Sequence, residues 1–244
     1  MTGIELRNAR LRAGWTQSRV AGRLGVTQAY LSLMEGGRRR VPDRLKRLVT
    51  SLLSLPPTCL PLSGPRTLDP AAIDRELEQG LARLEYPGLV YRRRAGARRN
   101  PVELLLMGLS AEDLDPRLAE ALPWLLLQFE GFNSQVLVAR AKSMDLQNRV
   151  GFTVALARRV AESNPVYRSR EGELRDLEEA LERSRLARED TYGRGVMSER
   201  MREWMRKNRS PEAEHWNLLT DLKAEHLPYA RTYPGTLAEL PPGR

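Results

Sequence analysis

Residues 16–37 read TQSRVAGRLGVTQAYLSLMEGG, and this stretch decides the fold. Thr16 and Thr27 are residues of capping type, each followed by apolar side chains at helical spacing. Val20, Ala21 and Leu24 follow the first, Leu31 and Met34 the second. Between them stands Gly25, which ends a helix in a left-handed turn at little steric cost. Val26 then plugs the core. Two short helices joined across such a turn form a helix-turn-helix. The second of them, residues 28–35, is closed by Gly36-Gly37 and displays Thr27, Gln28, Ala29, Tyr30 and Ser32, with Leu31 and Met34 turned inward. Short polar and amide side chains at a helix start suit the major groove, where a glutamine amide matches adenine.

The charge around this stretch points the same way. Of 244 residues, 40 are Lys or Arg and 31 are Asp or Glu, a net charge of +9. Residues 1–55 hold eleven basic and three acidic side chains, a balance of +8. Such a compact basic segment fits a polyanion, because each neutralised phosphate releases counterions. Arg38-Arg39-Arg40, directly after the second helix, is placed for phosphate contact rather than as a solvated run. Residues 85–100 add five Arg against one Glu. There Arg92-Arg93-Arg94 and Arg98-Arg99 fit a surface loop and a nucleic-acid contact equally. Arginine outnumbers lysine 36 to 4 along the whole chain, so the clustering carries the signal and the residue type does not.

Apolar Ile4, Leu6, Leu11 and Trp15 extend the pattern toward the N-terminus. The string Arg10, Gly14-Trp15-Thr16-Gln17, Ala21, Leu24-Gly25-Val26-Thr27-Gln28, Leu31, Glu35-Gly36-Gly37 and Pro42 resembles the lambda repressor and Cro-type (XRE-like) helix-turn-helix family. The likeness covers about a fifth of the chain. It implies that Gln17 anchors its helix on a phosphate, that Gln28 and Ala29 lie against bases, and that Arg10 and Glu35 form a structural ion pair. Two departures stand out. Leu33 occupies a position of the reading helix that is often polar in the family, which narrows base readout. Pro56-Pro57 interrupts the chain where family domains run into a fifth helix, leaving Leu60 and Leu62 to cover the gap.

Beyond residue 55 the chain reads as a linker, residues 56–66, with four prolines between Leu55 and Pro65, then a larger helical domain, residues 67–227, and a Pro-rich tail, residues 228–244 that wraps a partner or frays. Asp69-Pro70, Asn100-Pro101, Asp115-Pro116, Asn164-Pro165 and Ser210-Pro211 each place a capping side chain before a proline, a helix-start pair. The reading is all-α: helices over 4–13, 16–24, 28–35, 43–54, 70–84, 101–107, 116–129, 134–144, 146–163, 171–190, 198–208 and 211–226. Gly88 to Tyr91 is the one β-like run. Trp124, Trp204 and Trp216 read as core, or as interface anchors if exposed.

Composition excludes several classes. No apolar run reaches the ~18–20 residues of a membrane span, and no secretory core opens the chain. Cys59 is a lone cysteine, so a cytoplasmic protein without disulfides is expected. His215 and His226 lack further metal-binding residues nearby, so no metal site, cofactor or catalytic residue is expected. Glu171 to Arg183 reads as a salt-bridged helix face, with pairs Glu171–Arg175 and Glu179–Arg183.

The reading is a sequence-specific regulator of transcription, a repressor on double-stranded DNA. It is expected to be a homodimer, with Leu174, Leu177 and Leu181 as the leading candidate interface. The alternative is an antitoxin that neutralises a partner toxin through its helical domain and represses its own operon. The segment from Gly108 to Trp124 is similar to helix-turn-helix proteins paired with nucleotidyltransferase toxins.

Overall fold

The computed structural model describes residues 1–63, 69–92 and 95–231. Arg93, Arg94, the end of the linker and the tail from Thr232 onward lie outside the described residues. The chain divides into two compact units, Met1–Gly64 and Pro65–Arg244. The fold is all-α: the described strands are two residues each. No described helix is long and apolar enough to cross a membrane.

The first unit contains α1 (Gly3–Arg12), α2 (Gln17–Leu24), α3 (Gln28–Glu35) and α4 (Asp43–Leu52). Threonine starts the first three. Thr2 and Glu5 form a reciprocal capping box, while Thr16 and Thr27 accept the amides of Arg19 and Tyr30. Gly25 takes the left-handed conformation, φ 66°, between α2 and α3. Leu6, Val20, Leu24, Leu31, Met34, Leu45 and Val49 form the core, and Val26 packs partly against it.

The apolar period of α1 differs from the sequence expectation. Leu6, Ala9 and Arg10 face inward, whereas Ile4 and Leu11 are more than half exposed. At 100° per residue Ile4 and Leu11 share the face opposite Leu6, so both cannot be core. The proline-rich stretch also does more than connect. Pro57–Cys59 form a turn of 3-10 helix packed on α4, with Pro57 and Pro61 buried.

The second unit contains α5 (Pro70–Arg83), α6 (Pro101–Ser110), α7 (Pro116–Gln128), α8 (Ser134–Ser143), α9 (Gln147–Ser163), α10 (Glu171–Glu182), α11 (Glu199–Asn208) and α12 (Pro211–His215). Asn100, Asp115, Asn164 and Ser210 each accept a backbone amide just beyond the proline that follows them. At Asn164 the product is a 3-10 turn, Pro165–Arg170, leading into α10. The axis of the unit is α9, buried at every position from Val150 to Ala157 and packed on α6, α7, α8, α10 and α12. Gly151 makes this possible: a Cβ there would sit 2.3 Å from the ring of Trp216.

Four expectations for this unit are corrected. The helix expected to reach residue 190 ends at Glu182, because buried Asn148 captures both backbone groups of Leu186, at 2.8 and 2.9 Å, and draws the chain aside. The helix expected to reach 226 ends at His215; Asn217 turns left-handed, φ 52°, and β2 (Leu218–Leu219) pairs in parallel with β1 (Asp190–Thr191). Gly88 to Tyr91 lie in a 3-10 turn, Pro87–Arg92, started by the proline. Leu174, Leu177 and Leu181 are at most 3% exposed, so this stripe is the unit's own core and not an interface. Trp124 and Trp216 are core, while Trp204 is 49% exposed.

Candidate DNA interface

The helix-turn-helix presents α3 by its outer face. Thr27, Gln28, Ala29, Ser32 and Leu33 are exposed and Tyr30 is half-buried, while Leu31 and Met34 are fully enclosed. Every residue proposed from sequence for the reading helix is therefore on or beside one accessible face. Arg38, Arg39 and Arg40 follow the helix and are exposed.

Beneath this face lies a continuous polar relay. Arg10 donates through Nε to Glu35 Oε1 at 2.7 Å and through Nη2 to Oε2 at 2.9 Å, a bidentate pair buried on both sides. Its Nη1 also donates to the carbonyl of Trp15 at 2.9 Å, tying the end of α1 to the start of α2. Glu35 Oε2 accepts a further bond from Gln17 Nε2 at 2.9 Å, and Gln17 Oε1 accepts from Gln28 Nε2 at 3.2 Å. Burial raises the Glu35 carboxyl's proton affinity, but the bonds from Arg10 and Gln17 outweigh it and hold the group ionised, below its ordinary range. Arg10 is correspondingly held above its own.

The relay fixes what each amide has left to offer. An amide carries two N–H donors and a carbonyl acceptor. Gln28 spends one N–H on Gln17 and keeps one donor and its acceptor, the complement of adenine's N7 and N6 edge. Gln17 spends one N–H on Glu35 and its acceptor on Gln28, leaving an N–H suited to an anionic oxygen. The ion pair follows from the resemblance drawn on residues 10 and 35. Gln17's bond to Glu35 was not read from the sequence, since it joins the starts and ends of helices eighteen residues apart.

Two stacked arginines were likewise missed. The Arg39 guanidinium lies 4.9 Å from the ring centre of Tyr30, and Arg19 lies 4.1 Å from Trp15. The second was legible as an i,i+4 pair; the first needs the turn at Gly37.

The electrostatics of the unit are one-sided. Its three carboxylates are all engaged: Glu35 with Arg10, Asp43 with Lys46, and Glu5 with the N-terminal amine. Arg7, Arg12, Arg19, Arg23, Arg38, Arg39, Arg40, Arg44 and Arg47 are exposed and form no ion pair among the described residues. In contrast, the Arg-rich segment of the second unit is neutralised where it is described. Arg92, Arg98 and Arg99 pair with Glu78, Glu85 and Glu76.

No group of three or more His, Cys, Asp or Glu among the described residues could hold a metal ion. His215 faces Glu182 at 2.7 Å, and Cys59 is partly buried with its thiol's proton affinity raised by that burial. Glu171 pairs with Arg175, whereas Glu179 and Arg183 form no ion pair.

Residues 3–56 match the family model of a helix-turn-helix domain, a family of the XRE/Cro kind. No curated protein and no solved structure matches the chain. The first unit thus carries a DNA-binding helix-turn-helix domain.

Proposed function

We propose that the chain is a sequence-specific regulator of transcription, a repressor rather than an enzyme, that acts on double-stranded DNA in the cytoplasm. In this reading α3 enters the major groove. Gln28 reads a base, Ala29 and Ser32 lie along the same edge, and Gln17 holds a phosphate. Thr27, Tyr30 and Arg38 to Arg40 track the backbone on either side. The observation that carries it is the relay from buried Glu35 through Gln17 to Gln28, which immobilises an exposed amide at the start of a helix. Preorganised polar groups lose less entropy on binding, so an amide held in this way suits recognition better than a freely rotating one.

A single helix-turn-helix spans few base pairs, so two copies are proposed to bind half-sites about 34 Å apart. Their contact surface lies outside α10, whose apolar stripe is internal. The toxin-neutralising alternative rests on the likeness drawn for residues 108–124.

The repressor role is tested by transcription in vitro from a promoter overlapped by a DNA site selected with the full chain. Transcript should fall as the chain occupies the site. A rise would leave a DNA-binding activator and remove the repressor.

A further inference from the structure

The second unit contains a cavity of about 730 Å³, bounded by the start of α7, the Tyr192–Arg194 turn, α11 and the segment after β2. That volume lies within the range of roughly 300–1,000 Å³ usual for small-ligand pockets. Its lining carries five carboxylates, Asp74, Asp113, Asp115, Glu120 and Asp221, against the basic side chains Arg194, Lys223 and His226. In a chain of net charge +9 this is an inversion of local sign.

Three of the five have structural tasks, Asp74 among them through a hydrogen bond from the backbone amide of Asp115. Asp113 accepts the amide of Gly195 at 2.9 Å, and Asp115 caps α7 through the amide of Arg117 at 2.8 Å. Asp74, Glu120 and Asp221 form no ion pair with any described residue, and Asp74 Oδ1 is enclosed without a hydrogen-bond partner. Burial pushes the Glu120 carboxyl above its ordinary range. The charge of Asp115 adds to this, and the pull of His226 and Arg117 does not restore it. A cation brought into the cavity would supply the missing countercharge.

The cavity's lining also holds Trp204, the tryptophan of α11, with 49% of its surface exposed. Its neighbour Met205 is buried and anchors the helix, so the indole is presented on a fixed support. A cavity lined by both an exposed aromatic face and carboxylates without ion pairs attracts a cation twice over, through the ring quadrupole and through direct charge. Neither a neutral apolar ligand nor an anion would use both.

We infer that this cavity binds an organic cation, a guanidinium or alkylammonium group, with Trp204 against its face and Glu120 and Asp221 supplying the opposing charge. The cation belongs either to a free small molecule or to an Arg or Lys side chain of a partner protein. The inference does not rest on the DNA reading, and its failure would leave that reading untouched.

The experiment is calorimetric titration of the full chain with agmatine, with an acetylated Gly-Arg-Gly amide, and with the citrulline counterpart of that peptide as a neutral isostere. At least one cation should saturate the chain, and the citrulline peptide should bind roughly tenfold or more weakly. Trp204→Ala and Asp221→Asn change exposed positions and should each lower affinity about threefold to tenfold, with unfolding profiles unchanged. Glu120→Gln should do the same if it folds. Tighter binding of the Arg peptide assigns the site to a partner protein, and tighter binding of agmatine to a small molecule; either supports the cavity's role. No saturation by either cation up to about 10 mM, equal binding of the neutral isostere, or full affinity in both Trp204→Ala and Asp221→Asn would overturn it.

Discussion

The side-chain amide of Gln17 donates to Oε2 of Glu35 across 2.9 Å. One end of that bond is buried beside Arg10; the other leads through Gln17 Oε1 to Gln28 on the exposed face of α3. The ion pair that holds α1 to the end of α3 is thus also the foundation on which the reading side chain stands. Stability and recognition share these atoms.

The first consequence is an acid-sensitive first unit. Glu35 is ionised below its ordinary range in the folded state, so it adds stability above that range, about pH 4.3 in the unfolded chain, and loses it as pH falls through the lower folded value. Hydrogen exchange at the amides of α1 to α3 should show protection falling progressively as the pH drops below the ordinary carboxylate range. Glu35→Ala leaves Arg10 buried without its partner and should cost about 3–5 kcal/mol at neutral pH. A cost below about 1 kcal/mol would mean that the pair is not the fastening described.

Gln17 should behave as more than a phosphate contact. A residue that only positions DNA weakens all sequences alike when removed. Gln17→Ala also frees the Gln28 amide, so it should weaken the preferred site and, in addition, blunt discrimination at the base pair that Gln28 reads. Binding constants for the preferred site and its single-base variants decide this. An even loss across all of them would show that Gln28 needs no support from Gln17.

Nine exposed arginines that form no ion pair among the described residues should make binding steeply salt-dependent. With about six or more phosphate contacts per complex, affinity should fall roughly 10³-fold or more between about 50 and 200 mM salt. A slope equivalent to one or two contacts would place the basic face away from DNA.

Leu177 is a core residue of the second unit and no interface anchor. Leu177→Ala should cost about 2–5 kcal/mol of that unit's stability and leave the mass of the folded protein in solution unchanged. Dissociation of a dimer without loss of stability would reinstate the α10 stripe as a contact between copies.

Much of this was legible in the sequence, for reasons that separate local from tertiary causes. Thr16, Gly25 and Thr27 specify caps and a turn by local chemistry alone, so the helix-turn-helix could be placed to within a residue or so. The proline-started helices of the second unit were readable for the same reason. The ends of α10 and α12 were not, because the residues that end α10 sit elsewhere in the chain: Asn148 captures Leu186, and β1 and β2 meet across twenty-odd residues. The leucine stripe of α10 looked the same whether its cover was α9 or a second copy; only packing distinguishes them. At the interface, Gln17 and Gln28 were singled out separately, and what they do for each other appeared only in three dimensions.

Gln28, held by Gln17 and Glu35, is expected to read a base. The most direct measurement is selection of DNA sites from a random pool by the full chain and by Gln28→Ala, followed by affinities for the winners. The wild-type chain should enrich a defined sequence. The variant should bind that sequence about 1–3 kcal/mol more weakly and lose preference at one base pair of each half-site. Enrichment of the same sequence by both proteins, with equal discrimination at every position, would show that Gln28 reads no base.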